Sequence, residues 1–329
     1  MNRLVRVELR RFYLRRLTRV GIVGIVLVVG SLLFSMFQEA KPPSAAQQRI
    51  VTAQFQEAHK EWEAHGDQMR ADCLTAQADA RTHDPKADLG CDHMEPTLAS
   101  WGKPKPVFHE LMPQALRGAS YILAFLAFLV GAGFVGAEFT SGSLGTWLTF
   151  EPRRMRVYAS KLAAAGLGMA PVAAVTIGVV TAGVWLMVRH FNPSSLTTAG
   201  MWSTLAGQAG RSLVLTLAAA VGGAVVALLL RHTAAALGVA LGYLLVVDGL
   251  FAGAFDRAKP WLLRTNIDGW LQHGASYFVQ ECQTGSDGSY NCQGVQRTLS
   301  FGHSSAYLAV LLALAAGLAA AVFRRRDVG

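Results

Sequence analysis

The residues in this sequence with the most distinctive chemistry are four cysteines, and their positions predict two disulfide bonds. Cys73 and Cys91 lie in one polar stretch, and Cys282 and Cys292 lie in another. Four cysteines allow three pairings, and the pairings within each stretch close short loops, as is expected in an oxidising compartment. The turn signal at residues 285–288 (GSDG) favours a hairpin cross-linked near its tip.

Histidines near the first cysteine pair raise the alternative of a zinc site. His59, His65 and His83 share the polar stretch that contains Cys91 and His93. Their spacing matches no established zinc motif. We therefore expect solvated histidines and no bound metal.

Catalytic motifs are missing from the sequence. It contains no G-x-x-x-x-G-K-[ST] phosphate loop, no H-E-x-x-H and no G-x-S-x-G. We therefore expect no enzymatic activity and no cofactor in this chain, and any uphill movement of a substrate would need energy from a partner.

Asp248 is the only charged residue inside any of the long apolar runs. An intramembrane charge is costly unless it is paired. Arg211, near the outer end of a neighbouring run, is the predicted partner. Such a pair could fix two helices together or contact a substrate, and the sequence leaves both readings open.

The elements that carry these residues are predicted to be membrane-spanning helices. The chain has 329 residues, of which 52% are hydrophobic and only 16% charged, whereas soluble domains carry about 25% charged residues. A spanning helix needs about 20 apolar residues. The sequence thus predicts an all-α membrane protein with six transmembrane helices, at residues 20–37, 119–137, 162–188, 212–230, 233–255 and 305–323.

Charge indicates the orientation of these helices. With both termini inside, fifteen basic and four acidic residues fall on one side of the membrane. The long stretch 38–118 falls on the other side with nine basic and twelve acidic residues. Because short-loop Lys and Arg remain cytoplasmic, we expect cytoplasmic N and C termini. This pattern favours contact with membrane lipids and not with nucleic acid.

The connections complete the predicted organisation. Residues 1–19 form an interfacial helix, with Val5, Leu9 and Phe12 on its apolar side, and residues 324–329 form a cytoplasmic tail. The extracytoplasmic stretches are a helical loop domain at 38–118, a loop at 189–211 and the hairpin loop at 256–304. Glycines at residues 131, 133 and 136, at 238 and 242, and at 249 and 253 are spaced for close helix packing.

The segment 138–161 is the longest cytoplasmic connection between spans. Thr140 or Ser141 could cap a short helix, whose apolar face would carry Leu144, Trp147 and Leu148. Arg153, Arg154 and Lys161 follow it. An exposed apolar face favours docking of another protein, while a helix lying in the inner membrane interface is an equal alternative.

The same segment resembles the coupling-helix region of ABC-2 type permeases, the membrane subunits of ABC exporters. The resemblance rests on local residues together with the six-span topology. The local residues are Glu138, Phe139, Ser141, Gly142, Ser143, Leu144, Leu148, Pro152, Arg153, Arg154 and Lys161. It departs from the family pattern at residues 145–147 (GTW) and at Glu151.

The resemblance implies a transport subunit in the plasma (inner) membrane of the cell. Two copies, or one copy and a related permease, would each dock an ABC ATP-binding subunit that binds ATP and Mg²⁺. The docking residues would be those around Leu144 and Trp147. Glu138 would lie at the hinge, paired with an arginine such as Arg154, capping a helix end or marking the lipid boundary.

Apolar spans favour a hydrophobic or amphipathic cargo for such a subunit. The principal alternative is a membrane anchor or sensor that acts through the domain at 38–118. An intramembrane enzyme is a third class, disfavoured by the missing motifs.

Overall fold

A computed structural model describes residues 2–83, 87–143, 145, 149, 151, 153–251, 255–284 and 290–325. The protein is mostly helical, and its described part contains six helices long and apolar enough to cross a membrane. This confirms the predicted class of a mostly helical, multi-pass membrane protein. The chain divides into two compact units.

The helices extend past the apolar runs because those runs mark only the lengths suited to lipid. Following a short first helix, α1 (Asn2–Leu14), the candidate spans are α2 (Arg16–Ala40), α5 (Phe108–Thr140), α6 (Arg154–Phe191), α7 (Ala199–Leu230), the run formed by α8 (Thr233–Gly242) with a π-helical continuation (Tyr243–Phe251), and α10 (Phe301–Arg325).

The first unit comprises Met1–Ser35, Phe108–Leu186 and Leu196–Gly329, and α5 is its most buried span. Three glycines let other helices approach α5 closely. A Cβ atom at Gly131 would lie 2.0 Å from the Ala220 oxygen of α7, and one at Gly133 would lie 2.0 Å from the Leu17 side chain of α2. Gly136 meets Thr233 of α8 in the same way.

The other predicted glycine pairs do not make such contacts. A Cβ atom at Gly238 or Gly242 would meet nothing within 4 Å, and one at Gly249 would meet only the Leu244 oxygen of its own helical run. Gly253 lies outside the described residues. Small-residue spacing therefore predicted close packing within the chain for α5, whereas Gly238 and Gly242 of α8 make no such contact within the described chain.

At the end of α5 that holds Arg117, a short amphipathic helix closes the first unit. A 3₁₀ turn (Asp256–Trp261) leads into α9 (Leu263–Leu271), which packs against α7 and α10. Trp270 donates its indole N–H to the Arg211 oxygen at 2.9 Å, and Arg211 donates back to the Leu271 oxygen at 3.0 Å. These bonds satisfy polar groups that would be costly to bury unpaired.

The predicted hairpin is present between α9 and α10. Strands β1 (Gly274–Thr284) and β2 (Tyr290–Ser300) pair antiparallel, with Cys282 opposite Cys292, and the two cysteines are disulfide-bonded as predicted. Asp256 accepts the backbone N–H of Gln280, which pins the outer edge of β1 to the 3₁₀ turn.

The second unit comprises Met36–Val107 and Met187–Ser195 and is built on α3 (Ala45–His83). The predicted disulfide Cys73–Cys91 folds the following 3₁₀ turn (Cys91–His93) back onto α3. Gln77 supports this fold by accepting the backbone N–H of Leu89 at 2.8 Å. The short helix α4 (Leu98–Trp101) follows. Across the described positions, no three His, Cys, Asp or Glu side chains group as metal ligands.

Two adjacent glycines of α7 allow a matched test of the packing. A Cβ atom at Gly223 would lie 2.0 Å from the Phe128 oxygen, whereas one at Gly222 would lie 4.0 Å from its nearest neighbour, Leu312. We expect Gly223→Ala to lower the free energy of unfolding by about 1–3 kcal/mol through overpacking. Gly222→Ala should be neutral or raise it, because alanine favours the helix by about 1 kcal/mol. Thermal unfolding in lipid nanodiscs measures both, and equal effects would contradict this account of the packing.

Candidate functional site

The site is built around Glu138, near the end of α5, whose side chain is fully buried. A buried carboxylate is stable only when cations and donors surround it. Arg15 lies 2.5 Å from one carboxylate oxygen, and Lys161 of α6 contacts the other. The arginine that pairs with Glu138 is thus Arg15, which follows α1 in the chain, whereas the sequence suggested Arg154.

Lys161 connects a second buried acid to this group. Its ammonium lies 3.2 Å from Glu8 of α1, and both side chains are buried. Arg11 lies 3.8 Å from Glu8 and 3.9 Å from Glu138. These five residues, called the ion cluster from here on, combine two carboxylates with three cations drawn from α1 with its following residue, from α5 and from α6.

Aromatic packing seals the ion cluster. Phe12 is fully buried, with its ring centroid 5.3 Å from that of Phe134. The Phe134 ring also lies beneath two cations, 5.1 Å from the Arg15 guanidinium carbon and 5.6 Å from the Lys161 nitrogen, within the range of cation–π attraction. Low polarity around the charges strengthens their attraction.

Hydrogen bonds to backbone oxygens fix α1 in place. Arg15 donates to the Phe134 oxygen at 2.6 Å, and the Tyr13 hydroxyl donates to the Gly168 oxygen of α6 at 2.6 Å. Burial raises the pKa of Tyr13, which keeps the hydroxyl protonated as a donor. A side chain at Gly168 would collide with Phe12, so α1 sits directly on α6.

The docking face of α1 differs from the predicted apolar face. Among Val5, Leu9 and Phe12, only Phe12 is buried, and the other buried residue is Glu8. Glu8 is the single acid among seven arginines in the first nineteen residues. That isolation, together with its place four residues before Phe12, is the sequence signal that would have identified it.

The ion cluster stands at both ends of the segment 141–153. Glu138 lies in the last turn of α5 before this segment, and Lys161 lies about two turns into α6 after it, so the helices on either side of the segment meet through a direct contact. Gly142 has a left-handed φ of 66° and ends the α5 helix geometry. Ser143, Gly145 and Thr149 are helical. The predicted docking residues Leu144, Trp147 and Leu148 lie outside the described residues.

The remaining predicted residues of this segment occupy its ends. The guanidinium carbon of Arg231, at the junction of α7 and α8, lies over the Phe139 ring, 5.9 Å from the ring centroid. The Ser141 hydroxyl donates to the backbone oxygen of Glu138 at 3.5 Å. Arg153 is exposed and Arg154 opens α6. The start of the segment therefore contacts α8, and its end continues into α6.

The predicted pair between Arg211 and Asp248 is not formed. Arg211 instead bonds to the Leu271 backbone oxygen of α9, and Asp248 lies close to Arg264 at the start of α9. The reason is that α9 inserts its polar backbone beside both charges, a position that apolar runs do not reveal. Asp248 lies in the π-helical stretch Tyr243–Phe251, close to the start of α9.

The sequence analysis missed an ion pair near α9. Arg117 of α5 donates to both carboxylate oxygens of Asp268, at 2.7 and 2.6 Å. This two-pronged geometry is the strong form of an arginine–carboxylate contact. Both residues fell in stretches assigned to loops, where paired and solvated charges look alike in sequence.

These features define a multi-pass membrane protein whose helices are joined by a buried ion cluster at one end and by α9 at the other. No protein-family model matches the sequence, and no curated protein is significantly similar to it.

We expect Lys161→Met to lower the free energy of unfolding by about 3–5 kcal/mol, because it leaves two buried carboxylates with less compensation. Arg156→Met is the matched control, since Arg156 is exposed on the same helix and surface changes alter stability by about 0.5 kcal/mol or less. Thermal unfolding in nanodiscs measures the difference. Indistinguishable variants would mean that the ion cluster contributes no stability.

Double-mutant cycles test the corrected pairing around α9. Arg117→Gln with Asp268→Asn should show a coupling energy within the range of about 0.5–3 kcal/mol seen for contacting residues. Arg211→Gln with Asp248→Asn should be closer to additive, because those side chains lie beside different residues of α9. A larger coupling in the second cycle would restore the original pairing.

Proposed function

We propose that this protein is the transmembrane permease subunit of an ATP-binding cassette exporter. Its segment 141–153 receives mechanical work from a separate ATP-binding subunit. The chain resembles ABC-2 type permeases in the residues from Glu138 to Lys161. This resemblance supports a function in transport.

The observation that carries the proposal is the contact between Glu138 and Lys161. A docking element transmits force only if its attachment points move with it. Here both attachment points belong to one buried, closely packed group that also includes α1. Packed interfaces shift as discrete bodies and do not deform continuously. A push on the segment would therefore displace the ends of α5 and α6 together.

Contacts of α5 give this displacement a route to other spans. Gly136 and Phe139 touch Thr233 and Arg231, at the junction of α7 and α8. On the proposed mechanism, closure of the ATP-binding subunits moves the ion cluster and, through it, the spans on either side of a central pathway.

The proposed assembly follows from the same reading. Two permease chains, identical or related, pair in the plasma (inner) membrane, each with one ATP-binding subunit. Both termini and the ion cluster face the cytoplasm. The α3 domain and the disulfide-bonded hairpin face the oxidising side. The cargo is hydrophobic or amphipathic.

The test is whether an ATPase copurifies with the protein from its native host, and whether the protein raises the ATP turnover of that ATPase in nanodiscs. We expect Leu144→Asp with Trp147→Asp to abolish both retention and stimulation, because a charged face cannot fill an apolar groove. Leu196→Asp is the control, since Leu196 is 82% exposed in the connection between α6 and α7.

Two results would reject the proposal. One is that no ATPase is retained by the wild-type protein. The other is that the Leu144 and Trp147 substitutions leave an associated ATPase unaffected, as expected of a membrane anchor that acts through its α3 domain.

A further inference from the structure

The outward side of α1 carries a cationic surface that the ion cluster does not use. Glu8 and Phe12 face inward and are buried. The residues that face outward are arginines and apolar side chains, and they are called the outer face of α1 from here on: Arg3, Arg6, Val7, Arg10 and Leu14, all exposed.

We propose that the outer face of α1 is a binding surface for the phosphate groups of anionic lipids. Every ionisable side chain on it is an arginine, because the one acid of α1 is buried against Lys161. Arginine matches phosphate with several donors in a planar fork. Basic residues close to an anionic leaflet attract it strongly.

The arginines of this face have no competing partner. Arg3, Arg6 and Arg10 make no hydrogen bond or ion pair anywhere in the part of the chain that the structure describes. By contrast, Arg11 and Arg15 are engaged in the ion cluster. The helix thus divides its arginines between a structural set and an outward set with vacant donors.

Position and shape favour a lipid over another protein. The first candidate span, α2, begins at Arg16, directly after α1 ends at Leu14, which places α1 beside the membrane. Leu14 is 71% exposed and Val7 is 45% exposed next to the arginines. Apolar side chains flanked by arginines suit a helix at the boundary between head groups and acyl chains.

Lipid binding here would act on the ion cluster, since one helix carries both surfaces. Lipid phosphates on the outer face restrain α1, and the inner face of α1 supplies Glu8 to Lys161. Anionic lipid should therefore stabilise the ion cluster. This inference goes beyond the proposed transport function and does not depend on an ATP-binding subunit.

The experiment compares the full chain in phosphatidylcholine nanodiscs with and without phosphatidylglycerol. We expect phosphatidylglycerol to raise the midpoint of thermal unfolding. We also expect it to be retained preferentially on transfer to detergent, as counted by native mass spectrometry. The triple variant Arg3→Gln, Arg6→Gln, Arg10→Gln should lose the stabilisation and retain about tenfold less of this lipid. High salt should weaken retention by the wild-type protein.

A control triple variant removes the same charge from the second unit. Arg49, Lys60 and Lys105 are exposed there, and their replacement by Gln should leave retention unchanged. Equal loss in both triple variants, or no loss in either, would overturn the proposal. So would an α1 variant that keeps the lipid but loses an associated ATPase, because the outer face would then be a protein-docking surface. Because lipid retention is measured on the chain alone, its outcome tests lipid binding independently of the transport proposal.

Discussion

A carboxylate without access to water constrains this whole fold. Glu138 is fully buried where α5 ends, and such a charge is tolerated only with close, well-placed cations. Satisfying it brings together Lys161, from about two turns into α6, and Arg15, from the residue after α1. Lys161 in turn requires Glu8, and α1 is held in place as a result. The arrangement of three helices thus follows from the need to compensate one charge.

Close packing carries that constraint outward along α5. Its three glycines place the backbone or side chains of α2, α7 and α8 within touching distance. A helix packed this tightly on several sides cannot shift alone, because protein interiors have little free volume. The ion cluster and the glycine contacts therefore make α5 the element through which a local displacement would reach the other spans.

Local patterns in the sequence predicted the spans and both disulfides, because apolar length and loop closure are properties of neighbouring residues. Contacts between side chains distant in the sequence were harder to predict. Asp248 was predicted to pair with Arg211, but it lies close to Arg264 of α9, a short helix whose apolar signal in the sequence is too weak to place it. Glu8 was overlooked for a related reason. An acid among seven arginines looks solvated until its neighbours at residues 138 and 161 are known.

The charge balance of the ion cluster also bears on how the protein could move. Separating α1 from α6 would break the contact between the buried Lys161 and Glu8 side chains, at a cost of several kcal/mol. Sliding α8 or α10 incurs no comparable penalty, because both helices are mostly exposed along their apolar lengths. The helices joined by the ion cluster are therefore harder to separate than α8 and α10 are to shift. A conformational change in this fold would keep α1, α5 and α6 together at the ion cluster and take place at the lightly packed helices around them.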